Sequence, residues 1–147
     1  HVKPHGALYN MAVAGGDLAR AICDAVLACD EGLRLVMLAG SRAIDVAEAS
    51  GVRVAREVFA DRAFNPDGTL VPRSQPGAVI HDLNAVVERS LRLVTEGTVV
   101  AISGEAVPLE ADTICLHGDT PGAVELAAAL RAAFEKAGLH VAPMGRR

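Results

Sequence analysis

Residues 33–59 read LRLVMLAGSRAIDVAEASGVRVAREVF, and this stretch decides the fold. Leu33–Leu38 is a short apolar run, the pattern of a strand covered on both faces. Ser41 then stands where a helix cap belongs, the helix extends to about Ser50, and Gly51 ends it. Arg53–Phe59 alternates and carries β-branched valines, so it reads as a second strand. Strand, helix and strand in close succession argue for an α/β architecture with parallel strands.

The same alternation continues on both sides. Upstream, Asp17 is a plausible cap for a helix whose apolar face is Leu18, Ile22, Ala25, Val26 and Cys29, a 3.6-residue period. Downstream, Asp61–Gly77 lacks periodicity and contains the turn signal Pro66-Asp67-Gly68. Leu83, Val86, Val87, Leu91 and Val94 mark an amphipathic helix. Thr98–Ile102 and Val107–Leu109 flank Gly104-Glu105 as a small hairpin would. Asp112–Leu116 reads as a strand, and Thr120-Pro121 as the opening of a last helix with Ala123, Leu126, Ala127, Leu130 and Phe134 inward. Gly138 stops that helix, and Leu139–Ala142 is a strand or a tail. No repeat and no internal boundary is visible, so residues 1–147 are expected to form a single domain. Pattern alone does not separate a three-layer sandwich from a β/α barrel.

Composition narrows the function class. A formal net charge of −4 without a Lys/Arg cluster speaks against a nucleic-acid partner. Apolar runs such as Leu35–Gly40 and Val99–Ile102 are far shorter than the ~18 residues that span a bilayer. Three cysteines without CxxC spacing indicate neither a disulfide framework nor a zinc site, and a reducing, cytoplasmic location is expected. The chain opens at His1, with Val2-Lys3-Pro4 reading as the end of a strand, so a segment upstream is expected.

Ligands of parallel α/β folds lie at the C-terminal ends of strands. Three polar clusters fall there: Lys3-Pro4-His5-Gly6 with Asn10, Glu57 through Asp61-Arg62, and His117-Gly118-Asp119. Each has a plainer reading. Asp119 can cap the last helix, a lone histidine is more often structural than catalytic, and Asp61 with Arg62 can be an ordinary ion pair. Arg73 and Glu105 can be solvated loop residues. Lys3 is less easily dismissed, because a lysine at the mouth of a core strand is costly to bury without a partner. No P-loop, GxGxxG, HExxH or GxSxG pattern occurs.

Four ordered motifs go further. Residues His1 to Asn10, Glu57 to Arg62, Gly68 to Arg73 and Ala111 to Asp119 resemble, in the same order, motifs of the LamB/YcsF family. The resemblance runs across nearly the whole chain. It implies the C-terminal part of a β/α barrel of the glycoside hydrolase/deacetylase-like type, with roughly the first two fifths of a barrel of about 250 residues lying upstream. It also implies the A component of an ATP-dependent 5-oxoprolinase, which acts with subunits B and C to convert 5-oxoproline, ATP and water into glutamate, ADP and phosphate. ATP is then a co-substrate bound with or by the partner subunits, and the fragment alone is expected to be inactive.

The reaction needs a general base, a proton for the ring nitrogen, and cationic donors for developing negative charge. On this resemblance the candidate catalytic residues are His117, Asp119, Lys3, Asp61 and Glu57. His117 and Asp119 would form an oriented base pair, with Glu57 and Asp61 as alternative bases. His5, Asn10, Arg62 and Arg73 are the candidate substrate-binding residues. Two other readings stay open: a metal-dependent, deacetylase-like amide hydrolase holding a divalent ion on His5, His117 and Asp119, and a non-catalytic substrate-binding subunit.

Overall fold

The computed structural model describes residues 1–118 and 121–144. Contacts gather them into two compact units: His1–Val58 with Ala111–Thr113, and Phe59–Glu110 with the described residues from Ile114 onward. The elements follow as α1 (Ala7–Ala12), α2 (Gly16–Cys29), β1 (Arg34–Leu38), α3 (Arg42–Ala49), β2 (Arg53–Phe59), α4 (Leu83–Glu96), β3 (Thr98–Val100), β4 (Ala106–Pro108), β5 (Thr113–Cys115) and α5 (Ala123–Lys136). The fold is mixed α/β, and β1, β2 and β5 form a sheet in that order.

In the first unit, β1 and β2 run parallel, with Leu35 opposite Val54 and Leu38 opposite Glu57. Val2 makes a parallel bridge to Leu35 on the other side of β1, through Val2 N–H to Arg34 O and Val36 N–H to Val2 O, both 2.8 Å. β1 is therefore central. Its Leu35, Val36, Met37 and Leu38 are all buried, which is why the run is apolar on both faces. Burial of each large side chain there contributes about 1.5–3 kcal/mol.

α2 has the expected period but a rotated face. Ala19, Cys23 and Val26 are buried, whereas Ala25 and Cys29 are exposed. Small residues at that stripe let α2 pack closely on α3, whose Ala43 and Ala47 are buried in turn. Gly15, not Asp17, occupies the cap position of α2. Gly15 has φ 78°, and a Cβ there would lie 3.0 Å from Arg42 Cβ, so glycine meets both a backbone and a space requirement. Asp17 sits instead in the first turn, where its carboxylate suits the helix dipole.

In the second unit, residues 61–79 are far from structureless. Bridges Arg62–Val79 and Phe64–Leu70 fold the segment back on itself, burying Phe64, Val71, Ala63 and Ala78. Its tip is a side-chain turn: Asp67 Oδ1 accepts from Thr69 N–H at 3.0 Å and from Thr69 Oγ1 at 2.6 Å, while Asn65 Nδ2 donates to Thr69 Oγ1 at 2.9 Å. α4 starts where Asp82 Oδ1 accepts from Ala85 N–H at 2.7 Å and ends at Gly97 in the left-handed region. Its buried stripe is Val86, Ser90 and Leu93, while Leu83 and Val94 of the expected apolar face stay partly exposed, at 39% and 41%.

Thr98–Val100 and Ala106–Pro108 pair antiparallel as the expected hairpin. α5 begins at Ala123, with Gly122 as cap, three residues beyond Thr120. Its Leu130 packs with Ala60 and Val86, flanked by Leu126 and Phe134, but Ala127 is exposed, contrary to the expected face. Leu139–Ala142 forms no strand. None of the described helices is long and apolar enough to cross a membrane.

Candidate active site

In the second unit β5 leads through Leu116 to His117, and Ala60 N–H bonds Cys115 O at 3.3 Å, which brings the segment after β2 alongside. His117 Nδ1 then lies 3.3 Å from both carboxylate oxygens of Asp61. Its Nε2 lies 3.1 Å from Arg73 Nη2. A guanidinium can only donate, so Nε2 is the acceptor and carries the lone pair. The imidazole is thus the neutral Nδ1–H tautomer, donating to Asp61. Phe59 stacks on the ring, with centroids 5.5 Å apart and planes inclined by 14°. A carboxylate, a guanidinium and an aromatic face together hold the ring, with the Asp61 side chain 5% exposed and that of His117 24%.

The sequence expected Asp119 as the partner of His117, and Asp119 lies outside the described residues. Asp61, expected as an alternative base, occupies the orienting position among the described residues. It also faces a cavity of about 110 Å³ lined by Ile80, His81, Pro121, Glu125 and Leu126. That volume is well below the ~300 Å³ at the lower end of drug-sized sites and suits a much smaller ligand.

Two further arginines border this pair. Arg62 is buried, with Nε donating to Ala78 O at 3.3 Å and Nη2 to Val71 O at 2.6 Å. Burial holds its guanidinium below the usual arginine value, nearby Arg73 adds to that, and Asp61 opposes it. Arg89 reaches in from α4, and its Nη1 donates to Ala60 O and Arg62 O at 2.8 Å each and to Phe59 O at 3.4 Å. Burial likewise lowers its value and Asp61 opposes. Both remain cations, since a guanidinium is not deprotonated in proteins. Among the described residues three guanidiniums, those of Arg62, Arg73 and Arg89, act on the surroundings of Asp61 and His117, and Glu125 shares the cavity with Asp61. Sequence reading passes over Arg89, because on a helix with a polar face it looks like one more solvated charge.

In the first unit Lys3 Nζ donates to Glu57 Oε1 at 2.7 Å and lies 5.6 Å from the centre of the Tyr9 ring. The partner that a lysine at this strand mouth required is thus Glu57. Glu57 is 4% exposed, and its Oε2 has no hydrogen-bond partner among the described residues. The same holds for the buried hydroxyl of Ser41, which sits at the cap position of α3 without capping it. The sequence pattern marks Ser41 only as a cap. His5 and Asn10 are exposed, and among the described residues Asn10 Nδ2 reaches only Gly6 O, at 3.4 Å.

Among the described residues no three His, Cys, Asp or Glu side chains gather in a way that would hold a metal ion. His117 turns one nitrogen to Asp61 and the other to a guanidinium, a positive group where a metal would need to bind. The described residues do not fit a metal at His117.

The LamB/YcsF family model matches residues 1–147. The A component of 5-oxoprolinase from Pyrococcus furiosus is 56% identical over 145 residues, which is 99% of this chain and 57% of that protein. The protein of the same name from Rhodopseudomonas palustris is 47% identical over 147 residues, covering 100% of this chain and 58% of its own length. The crystal structure of the lactam utilization protein from Thermus thermophilus matches with a TM-score of 0.89 at 48% identity, over 96% of this chain and 56% of that one. The chain therefore spans a little over half the length of the relatives it matches.

Proposed function

This chain belongs to the LamB/YcsF family, and we propose that it forms part of the A component of an ATP-dependent 5-oxoprolinase, a hydrolase that opens the cyclic amide of 5-oxo-L-proline to L-glutamate. The observation that carries this reading is the oriented pair: Asp61 holds His117 as the Nδ1–H tautomer, which leaves the Nε2 lone pair as the base. The names of the relatives support the substrate.

A five-membered lactam is resonance-stabilised, so water attacks it slowly unless a base removes a proton and a cation receives the developing charge. His117 Nε2 takes the proton from water, Asp61 stabilises the imidazolium that results, and the stack on Phe59 keeps the ring in plane. Arg73 meets the substrate's anionic group. Arg62, with two donors on main-chain carbonyls, adds positive charge and braces the loop. For Lys3 and Glu57 we propose roles in the same reaction, supported by the buried Oε2 of Glu57, which has no hydrogen-bond partner among the described residues. His5 and Asn10, both exposed, are proposed substrate contacts.

Coupling to ATP is assigned to partner subunits B and C, in keeping with the names of the relatives, which mark each as one component of several, and with a sequence that carries no P-loop. The parallel pairing of β1 and β2 supports a β/α barrel for the whole polypeptide.

The test uses the full-length protein with its partner subunits, ATP and 5-oxoproline, with glutamate as the readout. Replacement His117→Ala lowers turnover by roughly 10²-fold or more if His117 is the base. A rate near that of the unaltered protein would remove His117 from the chemistry.

A further inference from the structure

The nitrogen that a general base needs is covered. Arg73 donates to His117 Nε2 at 3.1 Å, so the lone pair that would accept a proton from water is already engaged. The three guanidiniums around Asp61 differ in how firmly they are held. Arg62 bonds Ala78 O and Val71 O, and Arg89 bonds Phe59 O, Ala60 O and Arg62 O, so moving either would undo the main chain. Arg73 is exposed, and among the described residues its one hydrogen bond goes to a neutral imidazole nitrogen. A bond from guanidinium to a charged oxygen is roughly twice as strong as one to a neutral acceptor.

We propose that Arg73 is an exchangeable cap on the base: an oxyanion, carboxylate or phosphoryl, draws its guanidinium off His117 Nε2 and so frees that nitrogen in the same event. This rests on the reading of His117 as the base. No bond is made or broken covalently; one N–H donor passes from the imidazole nitrogen to an oxyanion oxygen, often by a two-pronged contact. The base is thereby kept from activating water until the anionic group has arrived. Arg73 is a positioning residue in this scheme as well as a binding one.

The exchange is read directly by nitrogen NMR on the full-length protein with ¹⁵N-labelled histidine, the His117 signals being identified by their loss in His117→Gln. Inorganic phosphate and acetate are the probes, with chloride at matched ionic strength as the control. The expected result is a saturable change in the Nε2 resonance with phosphate, acetate or both, while Nδ1 keeps its proton. Response to acetate alone identifies a carboxylate site and response to phosphate alone a phosphoryl site. In Arg73→Met the Nε2 resonance starts at the uncapped position and the probes bind at least about tenfold more weakly, with Arg73→Lys between the two. An Nε2 signal that does not respond to either probe, or that responds equally in Arg73→Met, overturns the proposal. The titration needs no turnover. A normal exchange in a protein whose His117→Ala variant keeps full activity would therefore reject the proposed base while leaving the exchange standing.

Discussion

Arg89 grips the main chain on both sides of Asp61, its Nη1 donating at 2.8 Å to the carbonyl before it, Ala60, and to the carbonyl after it, Arg62. The clamp adds to the main-chain bonds that already hold the segment, Ala60 N–H to Cys115 O at 3.3 Å and Ile80 N–H to Asp61 O at 2.8 Å, and so helps to keep the carboxylate within hydrogen-bond range of the imidazole. Arg89 also lies over the Phe64 ring, 5.7 Å from its centre, which holds the guanidinium from the other side.

Replacing Arg89 with Ala should therefore loosen Asp61 as well as destabilise the second unit. Three carbonyls lose a charged donor, and the expected cost is about 2–4 kcal/mol. Urea unfolding measures it. Arg89→Lys keeps the charge but not the planar guanidinium and should recover only part of the loss. Stability within a few tenths of a kcal/mol of the unaltered protein would show that the clamp is ornamental.

Lys3 and Glu57 make a second testable pair. Removing the ammonium by Lys3→Met leaves the buried Glu57 carboxylate uncompensated, and breaking a buried pair costs about 3–5 kcal/mol. Because the Lys3 side chain is 33% exposed, a cost nearer about 2 kcal/mol is expected here. Adding Glu57→Gln to Lys3→Met should restore much of that stability, since the buried charge is then gone. Additive losses in the double variant would mean that the two side chains do not act as a pair.

The turn at Asp67 should give the loop of residues 61–79 an acid-sensitive edge. Hydrogen bonds from the Thr69 hydroxyl and then from its main-chain N–H hold the Asp67 carboxyl below the usual range. A lowered folded value means that the stabilising effect is fully present above the unfolded value of ~3.9 and is lost as pH falls through the folded value. The stability difference between the unaltered protein and Asp67→Ala should be constant from neutrality to about pH 5 and shrink below about pH 4. A difference that grows on acidification would reverse the sign and refute the assignment.

Much of the architecture was legible because it is local. The apolar run at Leu35–Leu38, the Ser41 and Gly51 punctuation and the valines of β2 specify a strand, a helix and a strand whatever lies around them, and all three formed. The hairpin about Gly104 is an equally short-range matter of backbone conformation. Helix faces were less secure: Ala25 and Ala127 look apolar in a periodic pattern, yet alanine is small enough to face water at little cost, and both do.

The sequence by itself thus determined the α/β order, the parallel pairing and the strand ends at which Lys3, Glu57, Asp61 and His117 stand. Only the tertiary structure decided that His117 turns Nδ1 to Asp61 and Nε2 to Arg73, that residues 61–79 fold into a buried-core loop, and that Arg89 points inward to hold it. The physical reason is range. Periodicity and capping are set by neighbours a few residues apart, whereas His117 and Asp61 are 56 residues apart and Arg73 and His117 are 44 apart. Which atoms meet over such separations depends on how the strands and loops between them pack, and no short stretch of sequence carries that information.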